Sequence, residues 1–100
     1  MASVKITAGL LIPTLESREQ VRALAEATGS ISVEIDSEQY CASPGDPSAR
    51  KFINARPEII LVDMGNARAG ISSIETLHAA LPETRLYAIS EKTDPKLIIE

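Results

Sequence analysis

The segment that most limits the possible folds is Arg56-Pro57-Glu58-Ile59-Ile60-Leu61-Val62-Asp63-Met64. Its four consecutive apolar residues leave no polar face. A strand of that kind wants burial on both sides, as in the interior of a parallel sheet. It is far too short for a membrane span, which needs ~20 apolar residues. It ends in a carboxylate, and open α/β sheets place their sites at the C-terminal ends of strands.

Around this strand the chain alternates between two periods. Val4 to Ile12 is apolar and β-prone, with Gly9 inside it, and Pro13 stops the run. Ser17 to Thr28 reads as a helix. Ser17 and Gln20 have capping-box spacing. Val21, Leu24, Ala25 and Thr28 share a face, and Gly29 supplies the stop. Ile31, Val33 and Ile35 alternate with Ser32 and Glu34, which is strand spacing. Asp36 to Asp46 is irregular and long for a connection in an α/β unit, where about 2 to 6 residues is usual. Asp46-Pro47 predicts a cap followed by proline at the first helical position. The short helix that follows carries Ala49, Phe52 and Ile53 and ends before Pro57. Gly65 to Gly70 reads as a loop. Ile71, Ile74, Leu77 and Leu81 then mark a helical face ended by Pro82. Leu86 to Ile89 is a short strand. Asp94-Pro95 repeats the cap-plus-proline signal, so Leu97 to Ile99 is expected to begin a fourth helix.

The resulting order, β-α-β-α-β-α-β-α, argues for a parallel sheet covered by helices through right-handed crossovers. With 100 residues, 44% of them hydrophobic, residues 1–100 form one domain with a real core. The last helix has no strand after it, so the expectation is an N-terminal fragment of a longer protein. A net charge of −4 and the lack of a basic stripe exclude broad attraction to nucleic acid. Three aromatic residues are too few for base-stacking platforms. Cys41 is the lone cysteine and His78 the lone histidine, so neither a disulfide framework nor a zinc cage is expected. No signal-peptide pattern is visible, and the expected location is cytoplasmic.

The stretch from Arg56 to Glu100 resembles the receiver domain of two-component response regulators. The resemblance rests on "RPEIILVDM", a loop, a Gly-Ile-x-x-Ile-x-x-Leu helix, Leu-Pro-x-Thr, a strand ending in Ser90, and Asp-Pro-x-Leu-Ile. It implies a CheY-like, flavodoxin-like parallel sheet with helices on both faces, truncated here before the fifth strand. It implies that Asp63 stands at the phosphoacceptor position and Ser90 at the phosphoryl-contact position. In the family's strand order, 2-1-3-4-5, the fourth strand would be an open edge inviting a homodimer or a segment swap.

Three departures qualify that likeness. Receivers carry an acidic pair at the end of the first strand that binds Mg²⁺ with the acceptor Asp. Here that place reads Ile12-Pro13-Thr14, and a hard cation wants carboxylate oxygens. No cofactor is therefore expected. The family's lysine ends a fifth strand, and Lys92 and Lys96 are expected on the wrong segment to supply it. The loop after Asp63 lacks the usual Met-Pro. The pattern is closer to the atypical receivers, and most similar to the N-terminal domain of CpaE/TadZ-type pilus-assembly proteins. That implies a non-enzymatic interaction module for signalling or localisation. Its partner would be a protein or a downstream domain, met around the fourth strand and helix, including Tyr87 and Leu97. The alternative is a genuine phosphoacceptor, phosphorylated on Asp63 by a histidine kinase.

Other motifs carry less. Gly65 to Ser72 mimics a phosphate loop, but Ile71 stands where that mechanism needs lysine. His78 has no Ser, Cys or Asp partner at catalytic spacing. Cys41 has no basic neighbour to activate it. Arg50, Lys51, Arg56, Glu16, Glu19 and Glu26 read as solvated surface.

Overall fold

A computed structural model of the chain describes residues 5–90 and 96–99. The elements follow in the order β1 (Ile6–Leu11), α1 (Leu15–Ala27), β2 (Ile31–Ser37), α2 (Pro47–Ala55), β3 (Ile59–Asp63), α3 (Ala67–Ala80), β4 (Arg85–Ser90) and β5 (Lys96–Ile99). The sheet order is β2-β1-β3-β4-β5. The first four strands are parallel, giving the flavodoxin-like α/β arrangement expected from the alternation.

The fifth strand corrects the sequence reading. Lys96–Ile99 is not the start of a helix but a strand antiparallel to β4, pairing Tyr87 with Ile99 and Ser90 with Lys96. The edge expected to be open on β4 is therefore covered over this span. Asp94 and Pro95, which prompted the helix expectation, lie outside the described residues, as does Lys92.

Register sorts the strand residues onto two faces. Gly9, Ile60 and Leu86 line up across the sheet, as do Leu11, Val62 and Ala88. This face carries α2 and α3. Its core cluster joins Leu11, Ile60, Val62 and Leu86 with Cys41, Ala49, Phe52, Leu77 and Leu81. Phe52 is central, and its ring fills the space above Gly9. A Cβ on Gly9 would lie 2.8 Å from the Phe52 ring and 3.0 Å from Ile35 Cγ2. The opposite face aligns Ala8, Ile59 and Arg85, then Leu10, Leu61 and Tyr87. Helix α1 lies here, packed on β1 and β2. Ala8 and Leu10 are buried beneath it, whereas Ile59, Leu61, Tyr87 and Ile89 remain half-buried.

A bulge in β2 divides that strand between the faces. Ala8 pairs with Val33, but Gly9 pairs with Ile35, leaving Glu34 as the extra residue. A one-residue slip reverses every later side chain. Ile35 thus joins the Phe52 side. Asp36 turns to the α1 side, where Arg22 donates to its carboxylate and Arg18 Nε lies 4.0 Å from it. The sequence reading had kept Ile31, Val33 and Ile35 on a single face.

Helix α1 also differs from expectation. It begins at Leu15 after Thr14, whose side chain makes no cap bond, so the Ser17–Gln20 box is not used. Its inward residues are Arg18, Val21, Arg22 and Ala25, while Leu24 is 72% exposed. Gly29 ends it as expected, at φ 74°. Helix α2 starts on Asp46-Pro47 and leaves through Arg56 at φ 50°, just before Pro57. Helix α3 starts earlier than the reading of Gly65 to Gly70 as a loop allowed. Asn66 caps it by accepting from Ala69 N–H at 3.1 Å, and Gly70 lies inside the helix. A Cβ there would sit 2.5 Å from Met64 Sδ and 3.2 Å from the Asp63 carbonyl, so glycine lets α3 close onto the end of β3. The inward face of α3 is Gly70, Ser73 and Leu77, with Ile71 half-exposed rather than buried. No helix among the described residues is long and apolar enough to cross a membrane.

Candidate functional site

The C-terminal edge of the parallel strands carries the residues singled out from sequence. Asp63 ends β3 and is the register partner of Ile89 on β4. Met64 N–H donates to the Ile89 carbonyl at 2.8 Å, which locks the two strand ends together. Ser90 follows Ile89 and ends β4. Asp63 and Ser90 therefore stand on neighbouring strands at one edge, as their motifs imply. The antiparallel β5 adds a position that sequence reasoning had set aside, for Lys96 is the register partner of Ser90.

Asp63 bends over Gly65, with Oδ2 3.0 Å from the place a Cβ would take there. The other side of Asp63 is met by Tyr40, a residue that sequence reasoning missed. The Tyr40 hydroxyl donates to the Asp63 carbonyl at 3.0 Å and lies 3.4 Å from Oδ2. Burial is the main cause that pushes the Tyr40 phenol above its ordinary pKa. The Asp63 charge works in the same direction, and the Asn66 backbone amide opposes both. A lone aromatic in an otherwise small and polar loop was the signal available for it.

Tyr40 is placed by the hydrogen bonds of the connection it sits in, residues 38–46. Ser48 Oγ donates to the Tyr40 carbonyl at 3.2 Å. The next residue, Cys41, is 2% exposed, and its N–H donates to Ser73 Oγ at 2.8 Å. Ser73 donates in turn to the Ala69 carbonyl at 2.9 Å, one turn back in α3. Burial pushes the Cys41 thiol up, away from a reactive thiolate. Asp46 does not cap α2 with its carboxylate, although it stands at the cap position. Oδ2 instead accepts from Ala42 N–H at 2.7 Å and Ser43 N–H at 3.2 Å. Those two amides hold the Asp46 carboxyl below the usual carboxylate range.

The end of β1 is the place where receivers hold their acidic pair. Ile12 is buried there, and its N–H donates to the Ser37 carbonyl at 3.1 Å. Arg18 Nη1 donates to the Ile12 carbonyl at 2.9 Å, and Nη2 lies 3.9 Å from Glu38. A guanidinium and an apolar side chain do not fit a divalent cation, which needs several oxygen ligands. Among the described residues, no three of His, Cys, Asp and Glu converge. His78 is exposed on α3 and takes no part in this edge.

No protein-family model matches this chain, and no curated protein matches it. The resemblance to receivers therefore stands on the motifs and their spacing.

Proposed function

We propose that the chain is a receiver-like protein-interaction module that works without phosphorylation, in the cytoplasm, within a larger bacterial signalling or pilus-assembly protein. The observation that carries this reading is the end of β1, where buried Ile12 and the Arg18 guanidinium stand in place of metal-binding carboxylates. Phosphoryl transfer relies on a metal to offset developing charge. Asp63 then serves as a structural carboxylate at the strand end, bonded to Tyr40. The half-buried strip of Ile59, Leu61, Tyr87 and Ile89 suits a protein partner.

A second reading has one observation in its favour. Asp63, Ser90 and Lys96 occupy positions along one sheet edge, as acceptor, hydroxyl and lysine do in receivers. Intact-mass spectrometry after incubation with acetyl phosphate and Mg²⁺ separates the two. We expect no mass gain. A gain of one phosphoryl group, absent from Asp63→Asn, overturns the first reading and makes Asp63 a phosphoacceptor.

A further inference from the structure

We propose that residues 38–46 form a latch held shut by the Tyr40 hydroxyl, and that crowding of the Asp63 carboxylate opens it. This goes beyond the interaction-module reading and does not depend on phosphorylation.

The connection is built as two parts. Its outer turn closes on itself through the Asp46 carboxylate, which gathers the amides of Ala42 and Ser43. The Asp46 N–H returns to the Ser43 carbonyl at 3.1 Å. That turn can move as a unit, because these bonds need nothing from the sheet. Its inner part is fastened to all the elements around it. Glu38 lies 3.9 Å from Arg18 Nη2 on α1, Gln39 N–H donates to Ser37 Oγ at the end of β2, and the Cys41 carbonyl accepts from Ser72 and Ser73 Oγ on α3. Tyr40 reaches the end of β3, Cys41 reaches Ser73 on α3, and Ser48 on α2 reaches the Tyr40 carbonyl.

Of these fastenings, the phenol shares its space with the Asp63 carboxylate. The Tyr40 oxygen stands 3.4 Å from Asp63 Oδ2, too close for a further atom to sit between them. A group added at Oδ2, on the side facing the phenol, must displace the hydroxyl. The displaced phenol loses the Asp63 carbonyl as well, since both contacts use the same oxygen. Cys41, adjacent in the chain and nearly inaccessible, then becomes the reporter of the opening. Local openings of this kind are governed by the few bonds that close them.

The test measures alkylation of Cys41 by iodoacetamide, alongside amide exchange. Tyr40→Phe keeps the ring and removes the hydroxyl. Asp63→Glu keeps the charge and pushes the carboxylate one methylene further toward the phenol. Loss of a net hydrogen bond corresponds to an increase of about 2- to 10-fold in opening. Both variants are expected to speed alkylation by that factor and to speed exchange at Cys41, Ala42 and Ser43. Exchange at Leu10 and Val62, in the sheet, should stay at the wild-type rate. A wild-type alkylation rate in either variant overturns the latch. Equal acceleration at the sheet amides also overturns it, because the opening would then be global.

Discussion

The two faces of the sheet are closed by different chemistry. On one, α2 and α3 complete a dry cluster around Phe52, and nearly every strand residue beneath them is buried. On the other, α1 covers β1 and β2 without burying a residue of its own. Two arginines occupy its inward side and meet Asp36, and Leu24 stands largely in solvent. Burial scales with stability, whereas half-exposed ion pairs contribute little. The cooperative core therefore resides on the α2/α3 face, and the α1 face is the more exposed of the two.

Phe52→Ala should give the largest effect. It removes the centre of the cluster, and we expect a loss of about 3–5 kcal/mol in urea denaturation. A loss under about 1 kcal/mol would break the comparison, since that size suits an ordinary surface substitution. Gly9→Ala comes next. Its methyl meets the Phe52 ring, so overpacking should cost about 1–3 kcal/mol. Adding Phe52→Leu should recover part of that loss, and a double-mutant cycle measures the coupling. Leu24→Gln on α1 is the smallest, within about 0.5 kcal/mol of wild type by the same measurement. A larger cost would mean that something covers Leu24 in solution, and would sharpen the comparison into a search for that cover.

The layered α/β fold was legible because long periodic segments carry their own signal. Ile59 to Val62 could only be an interior strand, and Gly29 and Asp46-Pro47 punctuated the helices where they do in the structure. Strand β5 was not legible. Four residues are too few to show a period, and the preceding Asp94-Pro95 mimics a helix start. The inward face of α1 was misread because apolarity was taken as the guide. Arg18 and Arg22 turn inward there because Asp36 and the Ile12 carbonyl satisfy them. At the site, Asp63 and Ser90 follow from strand ends, which are local properties. Tyr40 depends on a contact between residues 23 positions apart, across an irregular segment. No local pattern encodes such a pairing.

The bulge at Glu34 gives β2 a property of parity. Before it, Ile31 and Val33 share the α1 face; after it, Ile35 and Ser37 share the α2/α3 face and Asp36 takes the α1 side. Deleting Glu34 would close the bulge and leave Ile35 on Gly9 and Asp36 on Leu10, each on its present face. A one-residue change that no bulge takes up would instead exchange them, sending a carboxylate under Phe52 and an isoleucine toward two arginines. The bulge is thus the place where this strand can gain or lose a single residue with the acid still on the arginine side.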